Sequence, residues 1–263
     1  MTTTLAVTEA IDSIRKAESI FNLRRIDDLQ VFPEWFENLL LLFPIVGNSN
    51  ILASAPNVFR EVHLIKAIGG DRMLDNLIEQ TLACLTEIDR ETTAFQTATG
   101  VQCPSGCGMC CQNPEVEATP LEMLPIAVEL SRKGELSQWL ERVEAVEAKG
   151  VCVFYQSDRL IPDNGRCGIY AWRPSLCRLF GFAAIANKRG EPELAACKKH
   201  KEIAPVVVKQ AEEAILNGLP VPQFADFTMR LGNLDPNLGR EPLPINQALK
   251  VAIERVGLLM QYS

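Results

Sequence analysis

The chain has 263 residues, 47% of them apolar, which is ample for a buried core in one large domain or in a small one with helical additions. Its net charge of −7 excludes a general attraction to nucleic acid, which would need a local basic patch. The one short basic run, Lys198, Lys199, His200 and Lys201, reads as the solvated face of a helix, so no nucleic-acid partner is expected.

Residues 1–10 lack a cationic segment followed by an apolar core, so no secretory signal is read and a reducing, cytoplasmic setting is expected. The apolar stretch 39–46 falls far short of the roughly 20 residues that span a bilayer; it reads as a core helix, with interfacial attachment as the alternative. Residues 8–21 and 33–43 have helical spacing, a turn-rich loop covers 48–56, and a short helix over 58–68 ends at Gly69-Gly70. Asp71 is placed to cap a long helix reaching about Ala98, in which Leu74, Leu77, Ile78, Leu82, Leu85, Ile88 and Phe95 recur every three or four residues. Cys84 lies among these apolar positions and reads as a packing residue, and the isolated His63 reads as structural.

Further on, Thr119-Pro120-Leu121-Glu122 has the residues of a capping box and opens a helix that ends near Gly134. A second helix is expected over 136–149, stopped by Gly150. Residues 151–155 and 167–170 predict a small β-hairpin around the turn Pro162-Asp163-Asn164-Gly165, with Cys152 on one arm and Cys167 on the other. Arg173-Pro174 begins a short helix with Cys177 in its first turns, where the helix dipole favours thiolate over thiol. A helical pattern over 192–217 is broken at Pro205 and puts Cys197 and His200 on one face. Residues 219–244 read as an irregular connector, and 246–260 as a final amphipathic helix with Leu249, Ile253, Val256 and Met260 along its stripe. The expected fold is mostly α, a helical protein with a cysteine-rich metal-binding core containing a small β-hairpin. Its divisions are an N-terminal helical region 1–98, a cysteine-cluster domain 99–203 and a C-terminal helical extension 204–263.

The chemistry concentrates in the cysteines. Cys103, Cys107, Cys110 and Cys111 place four thiols within nine residues, and Gly106 and Gly108 let the backbone turn around a metal. Cys107 and Cys110 form a tight knuckle. The adjacent Cys111 points elsewhere, toward a second site with downstream thiols or as a spare or free group. With Cys152, Cys167, Cys177 and Cys197 there are eight candidate metal ligands, all in the middle of the chain. That confinement favours a metal ion or cluster over catalytic thiols, disulfides or inert core cysteines.

A zinc ribbon would carry two CxxC pairs, whereas the downstream cysteines stand singly. An iron–sulfur cluster of the 4Fe-4S type accepts such dispersed thiolates, and zinc is the close alternative. Phe154, Tyr155, Tyr170, Trp172, Phe180 and Phe182 are candidates for an apolar shell, or for a plain aromatic core. Arg166, Arg173 and Arg178 are placed to offset the negative charge of four thiolates. No catalytic residue and no organic-cofactor motif is identified: glycine-rich nucleotide fingerprints, P-loops and zinc-protease helices are absent from the sequence.

Several stretches together resemble the YkgJ-like cysteine-cluster family, described as zinc- or iron-chelating. They are the four-cysteine segment, Cys152 with Phe154, Gly165-Arg166-Cys167-Gly168-Ile169-Tyr170, and Arg173-Pro174-Ser175-Leu176-Cys177-Arg178-Leu179-Phe180. The likeness spans about 103–180 and implies metal chelation in the cytoplasm. Flagellin lysine methylases look like distant relatives, in which cysteines hold an iron–sulfur cluster beside a methyl donor. Two departures stand out. Three residues separate Cys103 from Cys107 where the family motif has two, and Phe182 lies near a position where many members carry a cysteine, leaving that role to Cys197 or to none.

The functional expectation is a metal-binding protein with an iron–sulfur cluster or zinc on clustered thiolates, in electron transfer or as a structural centre. The alternatives are an iron–sulfur enzyme of the lysine-methylase or oxidoreductase type, and a metallochaperone or metal sensor. The expected partner is the metal itself.

Overall fold

The computed structural model describes residues 72–161 and 164–261. The helices and loop expected before residue 71, the cap at Asp71 and His63 lie outside the described residues, as do Pro162 and Asp163.

The long periodic segment forms α1, Arg72–Thr99. At a rise of about 1.5 Å per residue it is roughly 42 Å long, and its buried stripe runs through three apolar cores in succession. Leu74, Ile78 and Leu82 enter the first core, Leu85 and Ile88 the second, and Phe95 the third. Cys84 lies in the second, beside Leu85, Leu179, Phe227 and Leu231, where it packs as a small apolar side chain.

After α1 come α2 (Met109–Gln112), β1 (Glu117–Ala118), α3 (Pro120–Arg132) and α4 (Leu136–Glu144). The first core is built on α3, whose residues 120–130 are all buried because α1, α4 and the C-terminal helix surround it. Thr119 and Glu122 form the expected capping box. The Glu122 carboxylate accepts from Thr119 N at 2.9 Å, from Thr119 Oγ1 at 2.8 Å and from Ser175 N at 2.7 Å. It is 4% exposed, so α3 begins on a carboxylate whose hydrogen bonds replace the water it gave up. At the other end Gly134, at φ 72°, supplies a left-handed stop, with Gly134 N bonded to Ser131 O and Glu135 N to Leu130 O.

The remaining elements are β2 (Tyr155–Ser157), β3 (Gly165–Cys167), a 3-10 turn (Tyr170–Trp172), α5 (Ser175–Leu179), β4 (Ala184–Ala186), β5 (Pro192–Leu194), α6 (Lys198–Ile203) and α7 (Pro205–Leu216). They are followed by α8 (Phe224–Leu234), α9 (Pro236–Gly239), β6 (Leu243–Pro244) and α10 (Ile245–Gln261). Three antiparallel pairs, β1 with β6, β2 with β3 and β4 with β5, make up the sheet structure among the described residues. The fold is mostly α with small β-hairpins. On α10, Leu249, Ile253 and Val256 are buried, whereas Met260 is exposed.

Several local expectations are corrected. The helix after Gly134 ends at Glu144, five residues before 149, because the chain leaves it to meet the buried Asn246. Asn246 Nδ2 donates to Glu147 O at 3.5 Å and to Val151 O at 3.1 Å, and its Oδ1 accepts from Val153 N at 3.1 Å. The hairpin pairs Tyr155 with Cys167, so Cys152 precedes its first arm rather than lying on it. Residues 192–194 form a strand on β4, not a helix, and Cys197 caps α6. The connector 219–244 contains α8, whose Phe227 and Leu231 fill the second core.

Replacing Glu122 by Ala removes the cap of α3 and leaves the Ser175 amide without its acceptor. A loss of about 3 kcal/mol is expected, read as a lower urea midpoint at unchanged slope. A loss within 0.5 kcal/mol, on the order of ordinary surface changes, would contradict this account of how α3 and α5 are joined.

Candidate metal centre

The segment carrying the first four thiols has little regular structure and is held from outside. Gly165 N donates to Gly106 O at 2.9 Å, and Cys152 N donates to Cys111 O at 2.9 Å. Between them lies the Tyr155 ring. A Cβ at Gly108 would fall 2.4 Å from that ring and one at Gly165 2.3 Å from it, so both positions need glycine. The Tyr155 hydroxyl accepts from Gln112 Nε2 at 2.8 Å and donates to Asn164 O at 3.2 Å. Gly106 takes φ 72°, which turns the chain between Cys103 and Cys107.

The eight expected thiols all approach this centre, and they sort into two abutting groups. Cys103, Cys107, Cys110 and Cys197 form an outer group: Cys103 feels the charge of the other three, and Cys110 that of Cys197 and Cys107. In the inner group Cys152 and Cys167 lie against Cys111. Cys177 faces the seam, with Cys110, Cys111 and Cys167 as its charged neighbours. Adjacent side chains diverge, so Cys110 turns to one group and Cys111 to the other. The nine cysteines are all unpaired.

Burial and mutual repulsion raise Cys103, Cys110, Cys111, Cys167 and Cys177. Desolvation, followed by the charge of Cys110, pushes Cys103 up to about 12, and desolvation with Cys197 pushes Cys110 up to about 11. The neighbouring Cys152 thiol and desolvation take Cys111 up to about 12, and the neighbouring Cys111 thiol is the main cause that raises Cys167. Cys177 was expected to be drawn toward thiolate by its helix, but desolvation raises it. The five residues of α5 give too small a dipole to offset that burial.

One cation opposes the crowding. Arg173 lowers Cys103, Cys110, Cys167 and Cys177, and is held 3.6 Å over the Tyr170 ring with bonds to Tyr170 O and Cys177 O. Arg178 is committed instead to an ion pair with Asp89 and to the carbonyls of Arg173 and Ala171. Arg166 reaches across the hairpin to Gln156. Of the expected aromatic shell, Phe154 is buried against Trp139, Phe182 lies 5.3 Å from the His200 ring, and Tyr170 is exposed.

Two contributors carry no sequence motif. Tyr155 clamps the thiol segment to the hairpin, and Asn246, from the start of α10, fixes the turn that bears Cys152. The glycines at 108 and 165 were the only local hint of the first. Among the described residues, no three thiol, imidazole or carboxylate groups already stand as the ligand set of one ion. The donor chemistry nevertheless fits a thiophilic metal, which would take the place of protons on crowded thiols and draw them together.

The fold and these thiols define the class: a helical protein with a cysteine-rich middle. Residues 102–208 match the family model CxxCxxCC, described as "Putative zinc- or iron-chelating domain". The match takes in all eight thiols together with His200, and reaches beyond the stretch 103–180 that carries the motif resemblance. No curated protein and no solved structure matches the chain. No described helix is long and apolar enough to cross a membrane.

Cys84→Ala should leave metal content unchanged and cost about 1 kcal/mol of packing, measured by metal analysis and urea unfolding. Loss of metal would move Cys84 into the centre. For metal-free protein the pH dependence has a definite sign. The folded thiols are raised above the unfolded value of about 8.5, so their stabilisation is complete below that pH and is lost as pH rises toward 11 to 12. Melting temperature should therefore fall from about pH 8.5 upward, and fall less steeply in Cys103→Ser, whose hydroxyl does not titrate there.

Proposed function

We propose that the chain is a metal-thiolate protein that holds an iron–sulfur cluster, of the 4Fe-4S type, on the inner group Cys111, Cys152, Cys167 and Cys177. The observation that carries this reading is the gathering of Cys152, Cys167 and Cys177 around Cys111. These four sulfurs come singly from four segments, the pattern that a cluster accepts and a paired zinc ribbon does not. The cluster supplies a one-electron carrier and a cross-link among α2, the Cys152 turn, the hairpin and α5. Tyr155 and Asn246 orient the segments that bear these thiols, and the Ile169 amide bonds the Cys167 sulfur. Arg173 offsets the negative charge of the thiolates, and the unpaired thiols call for a reducing compartment such as the cytoplasm.

Anaerobic purification should give a brown protein with iron and acid-labile sulfide in equal amounts. Cys111→Ser and Cys177→Ser should each lose the visible absorption, since a hydroxyl is a poor ligand for a soft metal. Zinc alone in the anaerobic protein, or full iron and sulfide in both serine variants, would overturn the assignment.

A further inference from the structure

His200 is 2% exposed, and the function proposed above makes no use of it. A buried structural imidazole normally bonds through both ring nitrogens. Here Nδ1 lies toward the Gly181 backbone without a hydrogen bond of good geometry, and Nε2 stands 3.5 Å from the Cys103 sulfur. The ring is held in that attitude from two sides. A Cβ at Gly181 would fall 2.7 Å from its Cε1, and Phe182 packs against it. The start of α6 aims it as well, because the Cys197 sulfur accepts from His200 N at 3.3 Å.

We propose that His200 Nε2, with Cys103, Cys107 and Cys110, forms a second metal site that takes a single divalent ion of the zinc class. Three thiolates and one imidazole are a common tetrahedral donor set for such an ion, and imidazole suits it better than it suits an iron–sulfur cluster. Cys103 and Cys110 belong to the outer group, and Cys103 is exposed, so an ion reaches this site from solvent without passing the inner thiols. The site joins positions 97 residues apart, closing the thiol segment onto α6. On binding, the three thiols release their protons to solvent and the imidazole coordinates as the neutral ring, its Nδ1–H turned to the Gly181 backbone. Cys197 stays outside the ligand set as the cap of α6, a role that serine also fills. The site stands whether or not the inner group holds iron and sulfide.

The test is a titration of the full metal-free chain with Co²⁺, followed by absorption and pulsed EPR. Wild type should show sulfur-to-cobalt charge transfer, nitrogen coupling and displacement by Zn²⁺. His200→Ala should weaken cobalt binding at least about tenfold. His200→Cys should retain cobalt, lose the nitrogen coupling and gain roughly a third in charge-transfer intensity, as three thiolates become four. It decides the matter if the alanine variant fails to fold. Cys197→Ser and Cys111→Ser should both keep the nitrogen-coupled cobalt. Absence of nitrogen coupling in wild type, its persistence in His200→Cys, unchanged affinity in His200→Ala, or its loss in Cys111→Ser or Cys197→Ser would each overturn the proposal. Iron and sulfide analysis of the anaerobic protein reports on the inner group separately, so failure there is distinguishable from failure here.

Discussion

The arrangement of the thiols depends on one steric fit, the Tyr155 ring lodged against Gly108 and Gly165. The segment from Cys103 to Cys111 has only one short helix of its own, and an irregular stretch of this kind keeps a shape only where something packs on it. Tyr155 does so from the hairpin and spends its hydroxyl on Gln112 and Asn164. Since a Cβ at either glycine would run into the edge of the ring, a side chain at either position displaces Tyr155. The hairpin that presents Cys167 is therefore also the clamp that positions Cys107, Cys110 and Cys111.

Around this clamp, buried polar side chains do what apolar packing alone does not. Glu122 joins the start of α3 to the start of α5, Arg178 joins α5 to α1 through Asp89, and Asn246 joins α10 to the turn before β2. Each lies at an element terminus, where backbone groups need partners, and each is nearly fully buried. These bonds tie the helical cores to α5, which bears Cys177, and to the turn that bears Cys152.

Much of this was legible where the signal is local. The period of α1, the capping box at Thr119 and Glu122, the stop at Gly134 and the stripe of α10 all follow from residues within a few positions of one another. The β4–β5 hairpin was not legible, because Pro192-Glu193-Leu194 becomes a strand only by pairing with Ala184–Ala186. The helix α8 has Phe227 and Leu231 one turn apart, but that signal was outweighed by the proline, glycine and asparagine flanking it. In the middle of the chain the concentration of eight cysteines could be read from their spacing. Their division into two groups could not, nor could the parts played by Tyr155, Asn246 and Arg173, since each depends on contacts between distant segments.

The wide separation of the contributing segments also bears on how the protein comes into being. Loop closure grows costlier with chain length, and long-range contacts form late in folding. The outer group is incomplete until Cys197 and His200 have left the ribosome, and the Cys152 segment has no fixed position until Asn246 follows almost a hundred residues behind it. Until Tyr155 and Gly165 have emerged, the first four thiols are accordingly unclamped and open to oxidation or to the wrong metal. The thiol region thus takes its final shape only in the finished chain, after α10 has docked on α3.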